Sequence, residues 1–483
     1  MRFATPFPPG AITALSLALT LALGGCASWS PSSSPSAELL VPTTWSTPAV
    51  GSPTDLAQWW QRFNDPLLGT LVTQALQANT SVRTAQAALQ QSRALRDVQQ
   101  GKNLPGVNAS GSAQRSQTGS NDAVDTFKVG LDASWEPDVF GRQRNSLSAT
   151  ESDAQAAQAS LADVQVSVAA EVALAYIQLR GQQTQLQIAQ SNLASQQETL
   201  QITQWRAQAG LITSLEVEQA LTSSEQTAAQ VPALQASIAK TRHSLAVLTG
   251  QTPDALQALV ATAQPVPQAA NDLALSIPAQ TLRQRPDVRA AEHRISAALS
   301  RVSAADAARY PSFALSGSLG LSALSLAALG NGAPLVNALL ASVSVPLFDG
   351  GSARAQVRAQ EAALEQARIS YQATVLTALK DVEDALVALA GDREQQVRLQ
   401  AAATAAGNAA LLAQQRYASG LIDFQTVLQT QRTLLTAQDN VATNLANISS
   451  DHVRLYKALG GGWIPDTTDT MTGSLTGAGV RLP

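Results

Sequence analysis

The sequence predicts an α+β membrane protein with an internal two-fold structural repeat, in which strand hairpins are joined to coiled-coil helices of unusual length. Three observations predict it. A long stretch recurs at constant spacing, short segments alternate apolar with polar residues, and two proline-free helical patterns run for roughly seventy residues each.

The repeat organises everything else. The stretch from about Ser134 to Gly250 returns 210 positions later: Arg206 and Gly210-Leu211-Ile212 recur as Arg416 and Gly420-Leu421-Ile422, and Leu245 and Gly250 recur as Leu455 and Gly460. Upstream, Pro105 with Ser110-Gly111 answers to Pro311 with Ser316-Gly317 at a spacing of 206. Register kept through both segments, with a length change only between them, marks two copies of one unit.

With charged residues at 14%, aromatics at 4% and a formal net charge of -4, the chain carries no basic footprint for nucleic acid. One cysteine, Cys26, excludes an internal disulfide framework and a cysteine metal cluster. The three histidines, 243, 293 and 452, have no ligand pair spacing, so no metal is expected.

Residues 1–25 carry Arg2 and an apolar run from Ala11 to Leu23, too short to span a bilayer as a helix and suited to a secretory signal. Leu23-Gly24-Gly25-Cys26 resembles a lipobox, which implies cleavage before Cys26, a covalent lipid such as palmitate on it and, with Ala27 next, export to the outer membrane. No other cofactor is expected. Residues 26–80 read as a tether rich in Ser, Pro and Thr, followed by a short helix opened by Asp65-Pro66.

Repeat 1, residues 81–251, begins with a helix ending at Gly101. In Lys128 to Glu136 the residues Val129, Leu131, Ala133 and Trp135 share one face, and Lys128, Asp132, Ser134 and Glu136 the other; Val107 to Gln114 is the weaker partner strand. Repeat 2, residues 281–461, has counterparts at Phe313 to Leu319 and Leu339 to Val345. Strands apolar outside and polar inside fit a barrel wall, and Trp135, Phe140, Tyr310, Phe313 and Phe348 fall where an interfacial aromatic girdle would lie.

Each hairpin leads into a helix of about 100 Å, Gly141 to Gly210 and Gly351 to Gly420. Val172, Leu179, Leu186, Leu193 and Leu200 form a seam of period seven, as do Val427, Leu434, Val441, Ile448 and Leu455 on the last returning helix; that period implies left-handed coiling. Residues 252–280 connect the copies, and 462–483 form a tail. Four strands cannot close a barrel alone and lipid tolerates no open sheet edge, so other subunits must close it.

Three stretches then carry a family resemblance: Trp135-Glu136-Pro137-Asp138-Val139-Phe140-Gly141-Arg142, Arg285-Pro286-Asp287-Val288-Arg289-Ala290-Ala291-Glu292 and Val345-Pro346-Leu347-Phe348-Asp349-Gly350-Gly351. They resemble the TolC-like outer-membrane factors, most closely the NodT-type efflux lipoproteins. The resemblance implies a homotrimer, with a twelve-stranded outer-membrane barrel continued by a twelve-helix coiled-coil tunnel in the periplasm. It also implies two partners, a periplasmic adaptor and an inner-membrane pump of the resistance-nodulation-division class, with drugs or other small toxic compounds passing outward. By position, Arg206, Gly210, Leu211, Arg416, Gly420 and Leu421 would face the adaptor, and Tyr417 and Asp423 would narrow the periplasmic gate. An aspartate capping the returning helix is the alternative role for Asp423. Where relatives carry Asp-Ala-Gln-Arg after the returning Val-Leu, this chain has Gln429-Thr430-Gln431-Arg432, so an acidic contact is missing.

No enzymatic chemistry is expected. Ser237 with Lys240 and Glu383 with Asp384 read as polar helix surface, while Gln, Ser and Thr supply a wet lumen with few charges. Export of proteins through a similar duct and a non-conducting coiled-coil lipoprotein are the rival readings.

Overall fold

The computed structural model describes residues 44–45, 56–270, 282 and 285–463. The predicted signal, Cys26, part of the connector and most of the tail lie outside the described residues.

The long helices of the two copies match in length. Helix α1 (Pro66–Ala78) precedes α2 (Thr80–Gly101), strands β1 (Gly106–Ser116) and β2 (Val124–Trp135), and helices α3 (Arg142–Gln208) and α4 (Ser214–Leu248). The second copy comprises α5 (Pro286–Ala307), β3 (Ser312–Ala323), the short α6 (Leu326–Gly330), β4 (Leu335–Ser344), α7 (Ser352–Ala418) and α8 (Phe424–Ala458). Helices α3 and α7 are each 67 residues long, and α4 and α8 each 35. Pro232 lies inside α4 without ending it.

Polar side chains set the starts of the short helices. Asp65 accepts from the amides of Leu67 and Leu68 ahead of α1, with Pro66 in the first turn. Asn79 accepts from Ser81 and Val82 ahead of α2, and its Nδ2 donates to the Leu248 carbonyl, tying this corner to the end of α4.

All four strands form one antiparallel sheet in the order β1-β2-β3-β4, so the β2–β3 pair joins the two copies. The strands extend beyond the alternating segments. Strand β3 continues through Gly320 to Ala323, and β4 begins at Leu335, where apolar residues fall on both faces and hide the period of two. The loop around Gly330-Asn331-Gly332 contains the one-turn α6.

The main core gathers midway along the rods. A 3-10 turn at Trp59–Phe63 inserts Trp59 against Tyr456, with ring centroids 5.5 Å apart, and Leu68, Leu71, Val172, Tyr176, Leu179 and Leu245 close around them. Leu256, Val260 and Val266 of the connector join the same cluster. Within it Arg180, 1% exposed, donates to the Thr262 carbonyl, to Gln183 Oε1 and to the Tyr176 hydroxyl, which in turn donates to Asp65. Burial, and then this bond to a carboxylate, pushes the Tyr176 pKa up to about 12. A second anchor, Arg285, bonds Asp287, Asp381 and the Ala458 carbonyl, holding α5 against α7 and α8.

Candidate conduction path: hairpin tips, seam and barrel wall

At one end of the rods the repeated Arg-x-x-x-Gly-Leu turns reverse the chain. Gly210 and Gly420 sit at φ 69° and 72°, a left-handed conformation that a side chain would disfavour. The amides of Leu211 and Leu421 donate back to the carbonyls of Arg206 and Arg416, each at 2.9 Å. This six-to-one bond with a left-handed glycine ends a helix by satisfying its orphan carbonyls, which explains why arginine, glycine and leucine recur together. Both leucines are 73% exposed at the tips.

The returning helices start differently. Thr213 and Glu216 form a capping box on α4, while Asp423 accepts from the amide and hydroxyl of Thr426 at the start of α8. Those bonds favour the carboxylate and hold the Asp423 pKa below its ordinary 3.8, so the cap is complete above that value and is lost as pH falls beneath it. Asp423 is exposed and has the capping role weighed for it from sequence. Tyr417 has other surroundings: its ring packs 5.3 Å from Phe424, and the Arg206 guanidinium lies 4.8 Å from its centroid. Arg206 also donates to the Ala418 carbonyl, so the first tip grips the second. Arg416 is exposed.

Above the tip, α3 meets α8 through a ladder of polar contacts. Gln185 donates to Thr443, Asn192 to Gln438 and Gln431 to Thr199, and at the tip Arg206 continues the spacing by donating to Ala418 at the end of α7. The rungs on α3 are seven residues apart, one per coiled-coil repeat. The sequence reading missed this seam because it followed aliphatic side chains alone; Gln185, Asn192, Thr199 and Arg206 had the same period. Phe424, 2% exposed in the tip cluster with Ala220, Ala413, Val427 and Leu428, was likewise missed.

At the other end the sheet has two distinct faces. Register places Val129, Leu131 and Ala133 beside Leu321, Leu319 and Gly317, whereas Lys128, Asp132 and Ser134 stand beside Ser322, Ser318 and Ser316. Strand β1 adds Asn108, Ser110 and Ser112 to the polar face. Near the helix junction Phe140 stacks on Tyr310 at 5.1 Å and lies 6.4 Å from Phe313, and Trp135 Nε1 donates to the Asn103 carbonyl. Phe348 is 93% exposed and stands apart from this stack. Among the described residues no group of acidic, histidine or cysteine side chains has metal-binding geometry.

A sheet with two open edges and a hydrophobic outer face, continued by coiled helical hairpins, is a segment of an oligomeric membrane-spanning channel. The chain belongs to the outer membrane efflux protein family, whose profile matches residues 71–251 and 277–461. It is 30% identical to the outer membrane protein OprJ of Pseudomonas aeruginosa, over 94% of this chain and 96% of that one. It is 34% identical to the pyoverdine export outer membrane protein OpmQ of the same species, with coverages of 92% and 96%. Among solved structures, the outer-membrane channel OprN superposes with a TM-score of 0.81 at 36% identity, covering 89% of this chain and 99% of that one. The open-state MtrE channel of Neisseria gonorrhoeae gives 0.79 at 27%, covering 89% and 97%.

The protein is therefore the outer-membrane channel of an efflux pump. Three chains close a twelve-stranded barrel, and their hairpins continue it as a helical tunnel into the periplasm.

Proposed function

We propose that the protein is the passive exit duct of a tripartite resistance-nodulation-division efflux system, receiving small toxic compounds from a periplasmic adaptor and an inner-membrane pump. The observation that carries this reading is the pair of hairpin tips, each ending in the same glycine turn with an exposed leucine, Leu211 or Leu421, beside Arg206 or Arg416. Two similar turns per chain give six around a trimer, a surface suited to an adaptor that itself repeats. Relatives described as a toluene efflux pump outer membrane protein and a solvent efflux pump outer membrane protein, both of Pseudomonas putida and both 31% identical, support small apolar cargo. Conduction along a wet, weakly charged wall needs no bond-making step.

The gate in this reading is the ring of tips. Tyr417 holds the second tip to the first through Arg206, and three Asp423 carboxylates approach one another around the axis. In planar bilayers, wild-type trimers are expected to pass small currents that rise several-fold in Tyr417→Ala and Asp423→Ala. Correctly assembled trimers of all three that pass no current would remove the duct reading.

The lipid on Cys26 acts as an accessory anchor, with the aromatic residues near Phe140 seating the barrel at the interface. Cys26→Ser is expected to abolish labelling by radioactive palmitate while most of the protein still fractionates with the outer membrane. Complete loss of the variant from membranes would make the lipid the principal attachment.

A further inference from the structure

Strand β4 departs furthest from the pattern of the sheet's polar face, through Val336 to Leu340; β2 and β3 add only Val124 and Ala314 to it, and β4 itself returns to Ser342 and Ser344. On the polar face β1 supplies Asn108, Ser110, Ser112 and Gln114, β2 supplies Thr126, Lys128, Asp132 and Ser134, and β3 supplies Ser316, Ser318 and Ser322. Register puts Val336, Ala338 and Leu340 of β4 on that same face, directly beside Gly320, Ser318 and Ser316. The outer face of β4 already has Leu335, Leu339 and Val343 for lipid, so Val336 and Leu340 are not needed there. They are 48% and 61% exposed in the single chain.

Apolar surface in a wet lumen is unfavourable unless something apolar covers it. Among the described residues no apolar side chain of a paired strand stands beside Val336 on this face. Gly320, the β3 neighbour of Val336, has no side chain, and the neighbour on the other side is the β1 edge of the next subunit, since β1 and β4 are the two free edges that barrel closure must join. The same face of β1 carries Asn, Ser, Ser and Gln. What passes through the lumen is the solute.

We propose that Val336 and Leu340 form an apolar track on the lumen wall, repeated three times around the barrel, along which the apolar part of a conducted solute lies. The proposal rests on the small-molecule conduction set out above and names the class of solute: molecules with an apolar surface are held over molecules of equal charge without one. Lys128 and Asp132, which flank Gly130 on β2, lie two strands from the track and put one charge of each sign on the same face, so they do not select by charge.

The test compares two monovalent cations, tetraphenylphosphonium and tetramethylammonium, added on the barrel side of wild-type and Val336→Thr/Leu340→Ser trimers in planar bilayers. Wild type should be blocked by tetraphenylphosphonium at about tenfold lower concentration than by tetramethylammonium, from burial of part of its apolar surface. The double variant should bring the two within about threefold while keeping its potassium chloride conductance and its trimeric mass. An unchanged ratio in the variant overturns the track. Loss of the trimer overturns it too, by making the strip a packing surface between subunits. Wild-type trimers without any current would instead remove the conduction reading, and the track with it.

Discussion

Gly320→Val is expected to abolish recovery of assembled trimers from the outer membrane. A Cβ built on Gly320 would stand 2.6 Å from the Val129 carbonyl oxygen and 2.9 Å from the Gly130 Cα, and one on Gly130 would stand 2.9 Å from the Leu319 oxygen. Both obstacles are backbone, so neither can swing aside as a side chain would. Glycine is required here by close approach of two strands, not by an unusual φ. Any larger residue must push β2 from β3, the one strand pair that joins the two copies. The trimer yield in membrane fractions should fall more than about tenfold, whereas Gly317→Ala, whose nearest neighbour would be the Ala338 oxygen at 3.8 Å, should assemble normally. Equal yields from the two variants would show that the close approach relaxes without cost.

Arg180→Ala should destabilise the middle of the molecule by about 3–5 kcal/mol, as expected when a buried, multiply bonded cation is cut away. The loss has two parts. A cavity opens between α3 and the connector, and the Thr262 carbonyl, Gln183 and the Tyr176 hydroxyl lose a shared donor. Helical ellipticity followed against guanidinium in detergent measures it. Tyr176→Phe should cost less, since it leaves Arg180 its bonds to Gln183 and Thr262. If both variants unfold with wild type, the network adds nothing to stability.

The reasons for what the sequence revealed differ by element. Repeat spacings of 206 and 210 were legible because each helix in one copy is as long as its partner in the other, so length differences fall between the strands, as with α6. The tip turns could be read because Gly210 and Gly420 are held by backbone geometry and recur with their arginines. Strand β4 was only half legible, because Leu335 to Leu340 is apolar on both faces and alternation is the only local signal a strand gives. The Arg206 contact with Tyr417 links residues 211 positions apart in different hairpins, and neither propensity nor spacing within one helix reports such a meeting. Arg180 was hidden for the opposite reason: an arginine in a helix rich in glutamine reads as surface, and only tertiary packing buries it.

Because the β2–β3 pair lies inside the chain while β1 and β4 remain free, every subunit must satisfy two neighbours at once, through two different edges. Genetics should register this. A subunit damaged along one edge still binds through the other and carries an intact partner into a ring that cannot close. With damaged and intact chains made in equal amounts and mixing at random, only about one ring in eight would be wholly intact. Such alleles should therefore be dominant in merodiploid cells, while lesions that stop a chain from folding at all should be recessive.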